Sequence, residues 1–473
     1  MSAGLLLSEV TGEIALFAAV GGLLFALDDL AVDLIYFGRA GWRSLTVYTR
    51  YPRAFAAALA APERPGRLVV LIPAWDEAAV IGDMLRATLE RFEHDDYCLY
   101  VGYYRNDPST AAAIARIADP RIRAVEVPAD GPTTKADCLN HLYRALGDDE
   151  VAGAARVKAV VLHDAEDLVH PLELRLFDRL IERAALVQLP VLPLPDPASR
   201  WIAGHYADEF AQSHIKELVV RETVGAAIPL AGVGCAIERN AIDRLAEAND
   251  GRPFATTSLT EDYELGLRLG ALGLKTMFVR LPASPGSRAV VASRGHFPAD
   301  LHCAVRQKAR WIGGIALAGW DRLGWSGGLG ERWMRMRDRR GPFAALLLVA
   351  GYSALLLWLQ IVIAAAMGAP VRFEASLLLA SLLTINAWLF GWRLLMRFAF
   401  TSAAYGLREG LRSIPRVVVA NLIAMLAAHR ALALHEAGGP KTWDKTRHIF
   451  PAPAPAREPA HAPAPTPAPA AAS

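Results

Sequence analysis

Cysteine is scarce in this chain of 473 residues, and the four that occur form no CxxC pair: Cys98, Cys138, Cys235 and Cys303. Their wide spacing excludes a disulfide framework and a structural zinc site, and it indicates reduced thiols in a cytosolic compartment. Charge is also low, because 21% of the residues are charged and the formal net charge is only +2. This balance gives no electrostatic basis for binding nucleic acid, so we expect no nucleic-acid partner.

The common phosphate-binding and nucleophile motifs are absent or incomplete. No GxxxxGK[ST] loop occurs, which excludes nucleotide hydrolysis by that route. Residues 232–237 (GVGCAI) half-match a dinucleotide-binding loop but lack its third glycine. Residues 324–328 (GWSGG) fit the string of a hydrolase nucleophile elbow, but they lie in a glycine-rich linker rather than between a strand and a helix. We therefore discard both matches.

Apolar residues, in contrast, make up 53% of the chain, and the mean hydropathy of +0.24 indicates membrane segments. Residues 14–37 form an apolar run long enough to span a bilayer, although Asp28, Asp29 and Asp33 interrupt its second half. We predict a membrane helix; an interfacial helix is the alternative that the three carboxylates favour. No basic residue precedes the run, which argues against a cleaved signal peptide, and the arginines after it predict a cytoplasmic segment there.

Two further apolar runs, residues 343–367 and 375–392, predict a transmembrane hairpin. Basic segments flank this hairpin on both sides, so both flanks are expected in the cytoplasm. For residues 417–434 we favour an interfacial amphipathic helix over a third crossing. Residues 451–473 consist almost entirely of Pro and Ala, which predicts an extended, disordered tail.

The region from residue 68 to about residue 300 has a different pattern, in which short apolar runs alternate with amphipathic helical patterns. Strands are predicted at residues 68–73, 98–104, 122–127 and 158–163, and helices near 77–92, 108–118 and 135–146. This alternation predicts a parallel α/β sheet. Ligands of such sheets bind at the carboxyl ends of the strands, so the polar residues there are the first candidates for a site.

The densest polar cluster, residues 163–170 (HDAEDLVH), directly follows a predicted strand. Three carboxylates within four positions repel one another unless a cation or protons intervene, and Asp, Glu and His are ligands for Mg²⁺ or Mn²⁺. A divalent metal that holds a diphosphate is one interpretation. A solvated acidic turn that caps the helix beginning near Pro171 explains the cluster equally well.

Two later segments are weaker candidates when each is taken alone. Residues 260–263 (TEDY) begin a helical pattern, so their acids are explained most simply by the helix dipole. Gln307, Arg310 and Trp311 fall on one helical face. A guanidinium binds phosphate and an indole stacks on a sugar ring, but a basic juxtamembrane helix would show the same pattern.

Six short motifs occur in a fixed order between residues 68 and 311: 72–77 (IPAWDE), 106–107 (ND), 135–140 (KADCLN), 164–166 (DAE), 260–262 (TED) and 307–311 (QKARW). Each motif is weak by itself, but the shared order is specific. Together they resemble the family 2 glycosyltransferases, which are inverting enzymes. The resemblance implies an α/β fold of the GT-A type, with a Rossmann-like sheet that binds a nucleotide sugar, joined to transmembrane helices.

The resemblance also implies a role for each matching residue. Asp262 is the expected catalytic base, with Glu261 beside it, and Asp164 and Glu166 are the expected ligands of Mg²⁺ or Mn²⁺. The expected substrate contacts are Pro73, Asp76, Glu77, Asn106, Asp107, Lys135, Asp164 and Arg310 for the donor, and Gln307 and Trp311 for the acceptor.

Residues 104–108 (YRNDP), 163–167 (HDAED) and 443–451 (WDKTRHIFP) extend the resemblance to the bacterial phage-adsorption protein B-like glycosyltransferases. Glu166 stands where the family usually has Asp, so Asp167 is an alternative metal ligand. The chain ends in the Pro/Ala tail without the regulatory domain of longer members, and control by a cyclic dinucleotide is therefore not expected.

The expected protein is a multi-pass enzyme of the bacterial inner membrane with a cytoplasmic catalytic domain. It would move a sugar from a nucleoside-diphosphate donor, most commonly UDP in this family, to a glycan or lipid-linked acceptor. Membrane lipids and an envelope export protein are the expected partners. The expected parts are a membrane helix (1–40), the GT-A domain (41–330), a transmembrane hairpin (331–395), cytoplasmic interfacial helices (396–450) and the tail (451–473).

Two other classes of function stay open at this point. A degenerate transferase fold would serve as a non-catalytic membrane scaffold of an envelope assembly, although the intact acids argue against it. A metal-dependent hydrolase would use His163, Asp164, Asp167 and His170, but no second histidine cluster supplies a binuclear site.

Overall fold

A computed structural model describes residues 3–287, 289–438, 445 and 448–451 of the chain. Apart from Pro451, the tail predicted for residues 451–473 lies outside the described residues. Trp443, Asp444, Thr446 and Arg447 of the 443–451 motif also lie outside them.

A seven-stranded sheet forms the centre of the α/β region. Its strands are β1 (Leu68–Pro73), β2 (Tyr97–Tyr104), β3 (Ile122–Val127), β4 (Ala159–Leu162), β5 (Leu186–Gln188), β6 (Cys235–Glu238) and β7 (Thr276–Phe278). The spatial order is β3-β2-β1-β4-β6-β5-β7, and β6 runs antiparallel to both β4 and β5. The four predicted strands, β1 to β4, pair in parallel as expected, and the unpredicted strand β6 makes the sheet as a whole mixed. A four-residue buried strand carries no pattern that encodes its direction.

The helices, in chain order, are α1 (Ala3–Thr46), α2 (Ile81–Arg91), α3 (Pro108–Ala115), α4 (Lys135–Val151), α5 (Glu173–Leu180), α6 (Ile202–Gln212), α7 (Leu218–Thr223), α8 (Arg239–Glu247), α9 (Glu261–Ala271), α10 (Leu301–Ile312), α11 (Gly319–Leu323), α12 (Leu329–Arg339), α13 (Gly341–Ala366), α14 (Leu377–Tyr405) and α15 (Leu407–Glu436). Shorter segments are a 3₁₀ turn at Ala56–Ala58 and π-helical turns at Ser213–Glu217 and Gly313–Ala318.

The four predicted strands are present as β1 to β4, and the three predicted helices are present as α2, α3 and α4. Residues 68–73 and 122–127 coincide with β1 and β3, whereas β2 begins one residue earlier than predicted and β4 covers only four residues. The last three strands were not predicted, because runs of three or four residues show no detectable periodicity.

Every residue of β1 is buried, because helices cover both faces of the sheet. Val70 and Ile72 pack into one apolar cluster with residues of α2 and α5, while Val69 and Leu71 pack into a second with residues of α4, α8 and α9. This alternation follows from the two-residue period of a strand. The two-sided core fixes the carboxyl ends of β1 and β4 at one edge of the sheet.

Within the described residues, four helices are long and apolar enough to cross a membrane: α1, α13, α14 and α15. The helix α14 continues to Tyr405, beyond the predicted apolar run at 375–392. The helix α15 contains the segment 417–434 and packs against α6 and α10 of the α/β region as well as against α14. Near its start, the buried Arg416 donates to Asp208 Oδ1 of α6 over 3.0 Å.

The three aspartates of α1 pair with cationic and indole side chains. Asp29 accepts from Arg340 over 2.6 Å and from Arg337 over 3.1 Å, and Asp28 also accepts from Arg340, over 2.6 Å. Asp33 forms an ion pair with Lys216 over 2.6 Å. Because each carboxylate has a partner, the aspartates no longer argue against a membrane helix, and they attach α1 to the juxtamembrane part of the chain.

Candidate active site

A cavity of about 860 Å³ opens at the carboxyl ends of β1 and β4. Ten of the residues predicted for the site line it: Pro73, Glu77, Lys135, Asp164, Glu166, Glu261, Asp262, Gln307, Arg310 and Trp311. They come from segments that are up to 238 positions apart in the chain, and the sheet topology brings them together. The position agrees with the rule that ligands of open α/β sheets bind at strand ends.

Lys135, the first residue of α4, is a cation that interacts with three carboxylates of the cavity, those of Asp164, Glu261 and Asp262. Its Nζ lies 2.5 Å from Asp164 Oδ1. Burial lowers the pKa of Lys135, but the carboxylates of Asp164, Glu261 and Asp262 outweigh burial and raise the pKa above its ordinary value. Lys135 is therefore a fixed positive charge between the Asp164 loop and the start of α9.

The side chain of His163, which precedes Asp164, is buried, and both of its ring nitrogens have hydrogen-bond partners. Its Nδ1 lies 2.9 Å from Asp167 Oδ2 and its Nε2 lies 2.6 Å from Glu173 Oε1. Burial lowers the pKa of His163, but the two carboxylates outweigh burial and raise the pKa to about 10. Because both ring nitrogens of His163 are hydrogen-bonded to carboxylates, neither is directed at the cavity as a metal ligand in this arrangement. Asp167 also accepts from the backbone N–H of Asp164 over 3.0 Å, so it supports the loop from within.

A second cluster of charges contains two residues that sequence reasoning did not assign to the site, Lys445 and His448. His448 Nδ1 lies 2.7 Å from Glu77 Oε1 and 3.1 Å from Glu166 Oε2, and Lys445 Nζ lies 3.1 Å from Glu77. Lys445 also donates to the carbonyl of Trp75 over 2.7 Å. The only sequence signal for this contact is that both residues belong to the 443–451 motif.

Glu77, Glu166 and His448 can hold a divalent cation, because one ligand atom of each lies within 4.8 Å of the others. Burial lowers the pKa of His448, but Glu166 and Glu77 raise the pKa to about 10. A proton on His448 and a metal ion at this cluster therefore compete for the same carboxylates. Of the predicted metal pair, Glu166 belongs to this cluster, whereas Asp164 lines the same cavity but is paired with Lys135.

The Thr-Glu-Asp motif lies where α9 begins, and its two carboxylates help to raise the pKa of Lys135. Thr260 is the residue before the helix, and its side chain makes no capping hydrogen bond. Burial raises the pKa of the Asp262 carboxyl, while Lys135 opposes this shift. Burial and the neighbouring Asp262 raise the pKa of Glu261 to about 7. A carboxylate whose pKa is raised, as in both Asp262 and Glu261, is suited to accept a proton from a ligand in the cavity.

Gly232 explains how Asp262 can approach the loop that precedes β6. It has φ +78°, and a Cβ at this position would lie 2.5 Å from Asp262 Oδ2. In this structure the glycine of the half-matching loop leaves room for a carboxylate. Without the fold, the chain gives no sign that residues 232 and 262 meet.

Gln307, Arg310 and Trp311 lie on α10 and all face the cavity, as the helical spacing predicts. Trp311 belongs to an aromatic wall, with ring centroids 6.0 Å from Tyr206, 6.2 Å from Phe210 and 6.5 Å from Phe297. Among the described residues, the buried Oε1 of Gln307 has no hydrogen-bond partner. Phe210, Phe297 and Trp311 of this wall line the cavity, and aromatic side chains beside a hydrogen-bond acceptor without a partner are suited to bind a sugar.

Three predicted donor contacts, Asp76, Asn106 and Asp107, are not among the described residues that line the cavity. Asn106 exchanges two hydrogen bonds with the backbone of Gly131, at 2.8 and 2.9 Å. Asp107 caps α3 and accepts from the backbone N–H of Asp76 over 2.6 Å. They fix the loops at the cavity edge, including Asp76 at φ +54°. A sequence motif does not distinguish a residue that binds a ligand from one that positions a loop.

Comparisons with known proteins agree with this geometry. A family model described as glycosyltransferase like family 2 matches residues 65–314. The chain is 35% identical over 467 residues to bacteriophage adsorption protein B of Escherichia coli K12 and to bacteriophage N4 adsorption protein B of Escherichia coli O157:H7. These alignments cover 93% of this chain and 62% of each relative, so the chain spans less than two thirds of their length.

One solved structure resembles almost the whole fold. It is a mannosyltransferase from Pyrobaculum calidifontis in complex with GDP-Man and Mn²⁺, with a TM-score of 0.50 and 16% sequence identity. The alignment covers 86% of this chain and 98% of the mannosyltransferase. At 16% sequence identity, this structural similarity is evidence for the fold alone.

Proposed function

The chain belongs to the family 2 glycosyltransferases, with a GT-A fold and four apolar helices suited to a membrane, and we propose that it transfers a sugar at the cytoplasmic face of a bacterial inner membrane. The donor is a nucleoside-diphosphate sugar, with UDP-sugars the first class to test, and the acceptor is a glycan or a lipid-linked sugar. An envelope export protein that receives the product is part of this proposal.

The observation that carries the proposal is the convergence of three kinds of group on one cavity. Acids suited to a divalent cation lie at Asp164 and Glu166, a buried carboxylate lies at Asp262, and an aromatic wall with Arg310 lies on the α10 side. Diphosphate binding, proton removal and sugar binding need these three kinds of group. Their joint presence supports an active transferase over a non-catalytic scaffold.

The proposed reaction is a direct displacement at the anomeric carbon. The bond from that carbon to the diphosphate oxygen breaks while the bond to the acceptor oxygen forms, and Asp262 takes the proton of the acceptor hydroxyl. Lys135 and Arg310 add positive charge near the departing diphosphate. Gln307 and Trp311 hold the acceptor sugar. Bound Mg²⁺ or Mn²⁺ would further neutralise the diphosphate.

The contacts of α15 with the α/β region support a cytoplasmic position for this helix, which also packs against α13 and α14. The helix packs on α6 and α10 of the catalytic domain, and His448, which follows it, reaches Glu77 in the cavity. Both ends of α15 therefore lie on the catalytic side, as an interfacial helix requires. In this arrangement α1, α13 and α14 cross the membrane and the N-terminus lies outside.

The test is an assay of the purified full chain against a panel of UDP- and GDP-sugars, with release of nucleoside diphosphate as the readout. We expect release that needs both a divalent metal and an acceptor. Asp164→Ala should abolish metal-dependent donor binding while the protein stays folded. Release of free sugar without an acceptor would favour a hydrolase, and an Asp164→Ala protein that binds donor normally would reduce the acidic cluster to a structural turn.

A further inference from the structure

A second cleft, of about 280 Å³, lies between α1, α11, α12 and the start of α13. Its lining residues are Phe17, Phe25, Trp320, Trp325, Met336, Arg339, Arg340, Phe343, Leu346 and Leu347. None of these lines the active-site cavity. The side chains of Phe17 and Phe343, on two candidate membrane helices, are 53% and 58% exposed, so the apolar wall faces the surroundings of the protein.

Arg339 is the polar group of this cleft whose hydrogen bonding is incomplete. The residue is only 2% exposed, and its Nη2 donates to the carbonyl of Gly324 over 2.6 Å. Its Nε and Nη1 have no acceptor among the described residues. The guanidinium carbon lies 4.5 Å from the ring centroid of Trp325 and 5.2 Å from that of Trp320. Buried N–H groups of a cation are costly to leave without an acceptor.

The neighbouring arginines have carboxylate partners, and Arg339 does not. Arg337 and Arg340 pair with Asp29 over 3.1 and 2.6 Å. In the described part of the chain, no carboxylate oxygen lies within 4.0 Å of the Arg339 guanidinium. Among the described residues, this buried positive charge therefore has no carboxylate to neutralise it, and an anion from the surroundings could accept from its two unused N–H groups.

The position of Arg339, next to the start of a candidate membrane helix, indicates where the anion would come from. Arg339 ends α12, and the candidate membrane helix α13 begins at Gly341. Arg339 thus lies where a membrane helix meets the headgroup layer, and basic pockets at this level bind anionic headgroups. Phe343 and Leu346 continue the apolar wall from the guanidinium along α13.

We propose that this cleft binds one anionic phospholipid of the bilayer. The phosphate accepts hydrogen bonds from Nε and Nη1 of Arg339, and an acyl chain lies along Phe17, Phe343 and Leu346. Trp320 and Trp325, which are 36% and 39% exposed, lie against the guanidinium, and the proposal requires these indoles to move aside to admit the phosphate. The site is separate from the proposed acceptor site, because the acceptor residues Gln307 and Trp311 line the other cavity.

Native mass spectrometry of the delipidated full chain tests the proposal, with added phosphatidylglycerol, phosphatidylcholine, a polyprenyl phosphate or inorganic phosphate. Phosphatidylglycerol should bind about tenfold more tightly than phosphatidylcholine: both phosphates can accept from Arg339, but the quaternary ammonium of choline adds a second positive charge near the guanidinium. Arg339→Gln should weaken phosphatidylglycerol binding about tenfold. Arg332→Gln removes the same charge from the exposed side of α12 and should change binding less than about twofold.

Arg339→Lys keeps the charge but loses the guanidinium fork, so it should bind phosphatidylglycerol more weakly than the parent protein and still more tightly than it binds phosphatidylcholine; this comparison needs no folded glutamine variant. Equal binding by folded Arg339→Gln and the parent protein would overturn the proposal. Equal affinity for phosphatidylcholine would also overturn it. Saturation by inorganic phosphate alone, or displacement of phosphatidylglycerol by an equimolar polyprenyl phosphate, would assign the charge to a different ligand.

Discussion

At the scale of single residues, the cavity depends on carboxylates whose charges are compensated in different ways. Asp164 is paired with Lys135, whereas Asp262 is held near the same lysine with its pKa raised by burial. Glu77 and Glu166 share the imidazole of His448. Acids with such different environments are suited to different tasks, namely charge binding and proton transfer.

Replacing Asp262 with asparagine removes the proposed base but keeps its size. We expect transfer to fall by roughly a hundredfold or more, with donor affinity nearly unchanged, because only proton removal is lost. Single-turnover transfer and donor titration measure the two effects. Glu261→Gln is the matched control and should reduce transfer less. Near-normal transfer by Asp262→Asn would rule out the assigned base and strengthen the scaffold alternative.

His448→Ala tests whether the segment after α15 takes part in metal binding. Because His448 completes the cluster with Glu77 and Glu166, its loss should raise the metal concentration for half-maximal activity by roughly tenfold. Ile449→Ala, at the next residue of the same segment, should leave that concentration unchanged. An unaltered metal requirement in His448→Ala would mean that the imidazole only forms an ion pair with the two glutamates.

At the scale of elements, the start of α9 is fixed by the juxtamembrane helices. Tyr263 donates to Asp338 of α12 over 2.7 Å, and Arg322 of α11 donates to Glu264 over 2.8 Å. The loop before β6 approaches from the other side, with Gly232 against Asp262. The position of the proposed base therefore depends on three elements that are distant in sequence.

Gly232→Ala should lower transfer by roughly ten- to a hundredfold, because the new methyl group displaces Asp262. Gly225→Ala provides a matched control: Gly225 has a similar φ of +74°, but a methyl group added there would have nothing within 4 Å. Both variants carry similar backbone strain, so thermal stability should fall by similar amounts. Equal activity losses in the two variants would attribute the effect to strain alone.

At the scale of the whole molecule, the acids of α1 and the packing of α15 connect the membrane part to the catalytic part. Asp33 of α1 pairs with Lys216, which follows α6, and Arg416 of α15 pairs with Asp208 within α6. These buried ion pairs restrict how the catalytic domain can sit on the membrane helices. Removing one partner of such a pair leaves a buried charge, which costs about 3–5 kcal/mol.

Cysteine labelling of intact cells with a membrane-impermeant reagent tests the proposed topology. Val371→Cys, between α13 and α14, should be labelled from outside. Val151→Cys, which is 90% exposed on the α/β region, should be labelled only after the cells are opened. Glu436→Cys, at the end of α15, should behave like Val151→Cys. Labelling of Glu436→Cys from outside would show that α15 crosses the membrane.

The sequence by itself determined the α/β class, the apolar helices and most of the predicted segments that line the cavity. Periodicity and length were sufficient because each is a local property: residues 68–73 are continuously apolar, and 343–367 carry no charge. Helical spacing also predicted that Gln307, Arg310 and Trp311 share one face of α10. These three residues line the cavity.

Only the tertiary structure decided which polar residues meet. Lys445 and His448 contact Glu77 although more than 360 positions separate them from it. Asp107 accepts a hydrogen bond from the backbone of Asp76, and β6 runs antiparallel to β4. These outcomes depend on long-range packing, for which a local pattern carries no information. The aspartates of α1 show the same limit, because their partners lie in segments roughly 180 to 360 positions away.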